Sequence, residues 1–379
     1  MKRKRKSSAR RCSNLLDQKK IKKELSRANE KANENPSKAM SLRSLFSLPK
    51  SDLRWATLIR RPSKRNRSPY VADICVDSFG GKKTHEAIAH VPSLELGGKC
   101  VEGSRLLVQI ARDRKGNAVP PSATGKYGTP KCTYITRLCL VKDDENKNRG
   151  SQYKNGTWVG AHPSIGEKIA EELFQLGNVY EPLDSSKITA VHKQVAKFAG
   201  TNSRLDYLVE MASGKAYAVE VKTVVDTDYD PGITQPVERK FHGRKYNRQG
   251  MDNDLYQRAA IFPWGNSNQK GPDGEKVVST RAIAHVDNLM KVVTGELTHG
   301  QYGINLKAAI LFIIVREDAA VFRPNTEACP SFAKHLKDAH DKGVKVIAHA
   351  VSWGHGDETT PGKDLGTAYC AGTRPIILG

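Results

Sequence analysis

Two hydrophobic patterns follow one another along the chain. Between residues 52 and 145, short apolar or alternating runs at 70–76, 86–91, 106–111 and 134–140 are separated by Gly80-Gly81, Gly97-Gly98 and a Pro- and Gly-rich stretch at 116–130. Short strands punctuated by turn formers predict a small β-barrel. A polar stretch at 143–150 reads as a linker, and beyond it helical and strand periods alternate. Residues 163–176 place Ile165, Ile169, Leu173 and Leu176 on one helical stripe, with Pro163 suited to the first turn and Gly177 to the C-terminal cap. Strands are expected near 203–210 and 216–225, a helix near 279–293, an apolar strand at 309–315, a helix around 331–341 and an apolar strand at 344–348. Continuous apolar strands interleaved with helices predict a sheet covered on both faces.

Composition narrows the setting. No apolar run in the 379 residues approaches the roughly 20 that a membrane helix needs, so the expectation is a soluble, intracellular protein without a membrane partner. The seven cysteines are scattered, form no CxxC pair and have no zinc-finger spacing, which fits a reducing compartment and argues against structural zinc. The net charge of +22 is uneven: residues 1–70 carry 22 Lys and Arg against 5 Asp and Glu, or +17. The first 51 residues therefore read as a basic, largely disordered arm that attracts a polyanion without sequence preference. Its first cluster allows a nuclear signal or an organellar presequence, and equally a solvated tail.

The candidate chemistry lies in two alternating segments, 203–210 and 216–225, joined by Met211-Ala212-Ser213-Gly214-Lys215. A three-residue hairpin loop centred on Ser213 sets Asp206 opposite Glu220, and alternation puts Lys222 on the same face as Glu220. Opposed carboxylates repel unless a cation or a raised pKa relieves them. Asp206, Glu220 and the Val221 carbonyl are oxygen donors suited to Mg²⁺ or Mn²⁺, and Lys222 is placed to orient water or stabilise phosphate charge. The alternative is a surface hairpin with one Glu and Lys pair. Glu172 falls within the apolar stripe of the 163–176 helix, as a further acidic ligand or as half of a buried pair. His162 before that helix, and Arg281 with His285 at helical spacing, read as phosphate contacts or as a cap and a solvated face.

These segments resemble the sugar fermentation stimulation protein A (SfsA) family over roughly 57–353. The resemblance rests on Thr157-Trp158-Val159-Gly160-Ala161-His162-Pro163, Ala170-Glu171-Glu172-Leu173, Asn202-Ser203-Arg204-Leu205-Asp206 and Ala218-Val219-Glu220-Val221-Lys222, and on Ile261-Phe262-Pro263, Ser279-Thr280-Arg281 with His285, and Phe322-Arg323-Pro324. It implies a mixed α/β (α+β) chain: an OB-like barrel at 52–145, then a PD-(D/E)XK restriction-endonuclease-like domain at 146–353 whose central mixed sheet is flanked by helices, then a tail at 354–379. It also implies non-specific DNA binding with a regulatory role in sugar metabolism. Asp206, Glu220 and Lys222 take the metal-and-water positions and Glu172 the helix-borne acidic one. Two departures stand out: Val91-Pro92-Ser93-Leu94-Glu95 replaces the family's Cys-Pro-Asn-Thr-Gly, and Ala282 and Ala284 replace a Gly and a Lys.

An insertion at about 226–278 exceeds the family's link and carries Arg239, Lys240, Arg244 and Lys245 among aromatics, suited to gripping a single strand or simply solvated. The leading expectation is a Mg²⁺- or Mn²⁺-dependent nuclease acting on nucleic acid, DNA ahead of RNA, with Arg204, Arg281, His285 and the insertion's cations as contacts. The alternative is a binding protein without turnover, and homodimerisation is left open.

Overall fold

The computed structural model describes residues 44–77, 84–92, 100–141, 156–177, 180–201, 203–228, 239–241, 244–246, 258–265, 267–354 and 364–378. The basic arm before Ser44, the 143–150 linker and most of the insertion lie outside them. Five strands make the barrel: β2 (Leu53–Arg60), β3 (Val71–Asp77), β4 (Thr84–His90), β5 (Arg105–Ile110) and β6 (Tyr134–Val141). They pair in the order β4-β3-β2-β5-β6, and the ring closes where Ala89 and His90 of β4 meet Tyr134 and Ile135 of β6 in parallel. Four antiparallel pairings and one parallel closure give the OB-like topology. Small side chains such as Ala56, Ala72 and Ala89, all fully buried, let so few strands close around Leu58, Ile74 and Leu106. Register shifts at Leu58/Arg60 and Leu107/Val108 supply the bends.

Strand β7 (Thr157–Gly160) pairs with β6 and carries the chain into the second region. The crossing is tight: Gly160 N–H donates to the Val315 carbonyl at 2.9 Å, and a Cβ at Gly160 would stand 2.9 Å from Val315 Cβ and 3.2 Å from the Trp353 ring. One apolar cluster runs from the barrel interior to the adjoining sheet face.

The remaining sheet has seven strands in the order β1-β20-β19-β17-β10-β9-β8: β1 (Ser44–Ser47), β8 (Ile188–Val195), β9 (Leu205–Met211), β10 (Ala216–Val224), β17 (Leu306–Ile314), β19 (Lys345–Trp353) and β20 (Thr367–Thr373). β10, β17 and β19 run parallel and the flanking pairs antiparallel, a mixed sheet. β17 is buried on both faces, which is why its sequence is an unbroken apolar run. On one face α1 (Ser164–Gln175) sets Ile165, Ile169 and Leu173 against Val219 and Val221. A short α2 (Tyr180–Leu183) follows. On the other face α3 (Thr280–Val293) and α4 (Pro330–Asp341) cover Leu208, Ala218, Ile310 and Phe312. This is the helix-flanked central sheet of a restriction-endonuclease-like domain.

Smaller units surround the insertion. β11 (Asp226–Thr227), β14 (Ala259–Phe262) and β18 (Val321–Pro324) form a three-stranded sheet; β12 (Arg239–Phe241) pairs with β13 (Arg244–Tyr246), and β15 (Gln269–Lys270) with β16 (Lys276–Val277). Two segments read from sequence as arm and tail belong to the large sheet: β1 within 44–51 and β20 within 354–379 pair with each other at one edge. Phe46 docks edge-on against Trp353 at 6.1 Å, a contact that ties β1 down. β8, the opposite edge, was not expected as a strand because His192, Lys193 and Gln194 give it the polar character of an edge.

Candidate active site

The hairpin that carries the acidic pair forms in the register its turn dictates. Val219 pairs with Tyr207 and Ala216 with Glu210, so the loop is Ala212-Ser213-Gly214, with Gly214 at φ +80°. A left-handed residue there is the ordinary closure of a three-residue hairpin. Lys215 Nζ at 2.9 Å and Ser213 Oγ at 3.2 Å both donate to Asp184 Oδ2, which fastens the turn. One step beyond the last pair, Asp206 faces Glu220, and Asp206 Oδ2 accepts the Val221 N–H at 2.9 Å. The Asp206 carboxylate thus takes over where β9 stops supplying backbone acceptors. In a ladder the carbonyl of a residue faces the same neighbour as its N–H, so the Val221 carbonyl shares this side.

Asp206, Glu220 and Lys222 occupy the even-numbered face of the hairpin, toward α3. Glu220 is 5% exposed. Its Oε2 accepts from Lys222 Nζ at 3.0 Å and from His285 Nδ1 of α3 in a short hydrogen bond. Arg281, one turn earlier on α3, donates from Nε to His285 Nε2 at 3.2 Å. Ser279 caps the helix by accepting the Ala282 N–H at 3.1 Å, which fixes the first turn that carries Arg281. A small cavity of about 20 Å³, room for one water, lies beside Glu220 and His285 and is bounded by Asn288, Ser203 and Phe198.

The two carboxylates are held differently. Burial, then repulsion from Glu220, pushes Asp206 up to about 6, against the pull of the Val221 N–H and Lys222. Burial alone would raise Glu220 as well, but the His285 hydrogen bond and the Lys222 charge outweigh it and hold Glu220 below the usual carboxylate range. Ionised Glu220 is neutralised internally; Asp206 carries the residual repulsion.

The other sequence candidates divide. Glu172 belongs to α1, which covers the odd-numbered face, so the sheet separates it from Asp206, Glu220 and Lys222; sharing the apolar stripe is what turns it away from them. His285, expected as a phosphate contact, has both ring nitrogens engaged inside the protein. Arg281 and Arg204 are exposed nearby, the latter two residues before Asp206. His162 keeps to its own helix start, with Ser164 Oγ 2.7 Å from Nδ1; burial, then Arg137 and His90, depress it to about 4. In β12–β13 Arg239 pairs with Tyr246, Lys240 with Lys245 and Phe241 with Arg244, and their side chains lie outside the described residues. The Glu220–His285 contact was missed because its partners are 65 residues apart and only α3 packing joins them.

The donor set fits a hard divalent ion. Two carboxylates and one carbonyl leave positions for water, as Mg²⁺ prefers, and no soft ligand intrudes. Among the described residues no group of three or more His, Cys, Asp or Glu side chains forms a ready cage.

Barrel, mixed sheet and acidic hairpin together define the class: an OB-like barrel joined to a PD-(D/E)XK-type domain. The family model described as "Sugar fermentation stimulation protein RE domain" matches residues 272–356. A sugar fermentation stimulation protein homolog of Desulfotalea psychrophila is 28% identical over 200 residues, 53% of this chain and 61% of that protein. The homolog of Clostridium tetani is 25% identical over 216 residues, 55% of this chain and 70% of that protein. A solved structure titled "The structure of Pyrococcus Furiosus SfsA in complex with Ca2+" aligns over 88% of this chain and 99% of its own, with TM-score 0.49 and 17% identity. The chain is therefore similar to proteins of the SfsA family, most directly over 272–356. Its match spans less than two thirds of the Desulfotalea protein. No described helix is long and apolar enough to cross a membrane.

Proposed function

We propose that this chain is a divalent-metal-dependent nuclease acting on nucleic acid, DNA ahead of RNA. The observation that carries the reading is the carboxylate pair, half-buried Asp206 facing buried Glu220, with the Lys222 ammonium 3.0 Å from Glu220 Oε2. Asp206, Glu220 and the Val221 carbonyl would hold Mg²⁺ or Mn²⁺, which when bound supplies Lewis acidity toward a phosphate oxygen and a more acidic water. Lys222 orients the attacking water and stabilises charge growing on the phosphate. His285 is a positioning residue: its Nδ1–H fixes the Glu220 carboxylate, and Arg281 fixes His285. Arg204 and Arg281, exposed at the rim, are suited to phosphates, and the arm adds salt-dependent affinity.

The test is incubation of purified full-length chain with labelled single- and double-stranded DNA and RNA, in Mg²⁺ or EDTA. Cleavage is expected only with the metal, and Glu220→Ala or Lys222→Ala is expected to abolish it while leaving the folded circular dichroism spectrum. Metal-dependent cleavage that persists in both variants sinks the assignment.

A second reading is favoured by the internal neutralisation of Glu220 and by Ala282 and Ala284: a fold that grips nucleic acid without turnover, as a regulator. It expects binding that persists in EDTA, falls steeply with salt and is little changed in Glu220→Ala. The matched relatives are of bacterial type, which gives no support to the nuclear reading of the first basic cluster.

A further inference from the structure

Beyond the basic arm, positive charge gathers on two loops of the barrel. Residues 44–379 carry +11, from 47 Lys and Arg against 36 Asp and Glu. The β2–β3 loop, 60–70, holds Arg60, Arg61, Lys64, Arg65 and Arg67 and no acid; the β5–β6 loop, 111–133, holds five cations against Asp113, so together they supply +9 of that +11. The loops meet where Asn66 Nδ2 donates to the Pro130 carbonyl at 3.3 Å. Buried Asp73 of β3 accepts from Ser63 Oγ and from the Lys64 N–H at 2.8 Å, and Ser63 Oγ accepts the Arg65 N–H at 3.1 Å. The backbone is therefore fixed while the side chains of Lys64, Arg65 and Arg67 stay exposed. Of the ten cations, only Arg65, 3.7 Å from Asp73 Oδ1, and Arg112, held by Asp52 at 2.6 and 2.9 Å, meet a carboxylate among the described residues. Charge of one sign held this way repels itself until a polyanion covers it.

Two further observations narrow the ligand. Arg61 Nε donates to the Pro69 carbonyl at 2.8 Å, but Nη1 and Nη2, both buried, meet no hydrogen-bonding partner among the described residues. With Arg60 and Lys64 it lines an open cavity of about 700 Å³, where Glu102 is the acid. A guanidinium keeps its proton, so its unanswered donors suit anionic oxygens. Aromatic rings also stand exposed beside the cations. Tyr70, 41% exposed, closes the β2–β3 loop 6.4 Å from the His90 ring, and Tyr127, 86% exposed, has Lys126 Nζ 5.6 Å from its centroid. Such rings offer a stacking face to an unpaired base, whereas a duplex keeps its base faces within its own stack.

We propose that the β2–β3 and β5–β6 loops form a docking surface for single-stranded nucleic acid. Arg60, Lys64 and Arg67 on one loop, with Lys126 and Lys131 on the other, take phosphates; Arg61 takes a phosphate oxygen at the cavity; Tyr70 and Tyr127 stack bases. The surface rests on the reading above only for the class of ligand, and it binds whether or not Asp206 and Glu220 support turnover.

The experiment titrates full-length chain into a labelled oligothymidylate, and into its duplex with oligoadenylate, by fluorescence anisotropy in EDTA over a series of KCl concentrations. The single strand is expected to bind more tightly. Combining Arg60→Gln, Lys64→Gln and Arg67→Gln is expected to make the slope of log affinity against log salt shallower by about 2, and to weaken binding roughly hundredfold at about 0.1 M salt. The arm's share of the slope is common to all variants and cancels. Tyr70→Ala with Tyr127→Ala is expected to weaken single-strand binding roughly tenfold and leave the slope unchanged. Wild-type affinity and slope in the triple variant overturn the surface, and a duplex bound as tightly as the single strand overturns the choice of ligand. Should the triple variant lose its folded circular dichroism spectrum, Lys126→Gln with Lys131→Gln makes the same test with a slope shallower by about 1. Binding that falls as stated in a chain that never cleaves upholds the surface and sinks the nuclease reading; metal-dependent cleavage with wild-type binding in the triple variant does the reverse.

Discussion

Gly166→Ala is a direct test of how α1 holds the strand that carries Glu220 and Lys222. An exposed helical glycine replaced by alanine gains about 1 kcal/mol from helix propensity. Here the outcome is reversed by position. An added Cβ would stand 2.0 Å from Thr223 Oγ1, 3.0 Å from Thr223 Cβ and 3.3 Å from Thr223 Cγ2. The hydroxyl has no free escape, because Oγ1 donates to the Pro163 carbonyl at 2.9 Å and so ties β10 to the start of α1. Relief requires breaking that bond, about 1 kcal/mol, and, because Thr223 Cβ still stands 3.0 Å away, displacing the helix as well, with an overpacking cost of about 1–3 kcal/mol. Set against the propensity gain of about 1 kcal/mol, the net loss is about 1–3 kcal/mol. Thr223→Ala removes Oγ1 and Cγ2, so Gly166→Ala made in that background loses most of its penalty, a coupling of about 2 kcal/mol. Urea denaturation of the four proteins measures it. A Gly166→Ala protein at least as stable as the wild type, or an unchanged penalty in the Thr223→Ala background, refutes the packing argument.

Two further perturbations probe buried charge. Asp318 is the shared acid between Arg316, at 2.6 and 2.7 Å, and Arg258, all three side chains being at most 3% exposed; Asp318→Asn leaves buried guanidinium charge uncompensated and is expected to lower stability by about 3–5 kcal/mol in urea melts. His349 is held down at about 4 by burial and then by Arg374. Its folded pKa lies below that of the unfolded chain, so the unfolded state takes the proton first and stability falls as pH drops below the ordinary histidine value toward 4. Between pH 7 and 5 His349 removes about 2 kcal/mol, and the same pair of melts on His349→Gln is expected to lack that increment; equal pH dependence in both proteins contradicts it.

What could be read in the sequence was what short-range chemistry decides. The glycine turn and the alternation on either side of it fix the Asp206–Glu220 register, because a hairpin's register follows from its loop. The apolar runs of β17 and β19, the stripe of α1 and the presence of helices at α3 and α4 emerged for the same reason. β1 and β20 did not, since Leu45 and Phe46 are two apolar residues in a basic stretch and Thr-Ala-Tyr-Cys-Ala-Gly-Thr has little strand character; each is a strand because the other, and β19, offer an edge. Glu172 misled because a helical stripe identifies which side chains face a sheet, not which face of the sheet they meet.

The environment of His285 is the part of the site that only tertiary structure supplies, and its proton can be assigned by elimination. Nε2 faces the Arg281 Nε–H at 3.2 Å and so must accept. Nδ1 faces the Glu220 carboxylate, which can only accept, so Nδ1 carries the hydrogen. The reverse tautomer sets two donors together at Arg281 and two lone pairs together at Glu220, and would satisfy only the weaker 3.3 Å approach of Lys222 Nζ. Lys222 therefore bonds Glu220 and merely adjoins the ring. Nitrogen-15 spectra of the histidines at neutral pH are expected to show His285 protonated at Nδ1, and Arg281→Ala, which frees Nε2, to let the other tautomer appear while Glu220→Gln weakens the preference from the opposite side. A ring protonated at Nε2 in the wild type contradicts the assignment, and with it the view that Arg281 reaches Glu220 through His285 to hold the carboxylate toward Asp206.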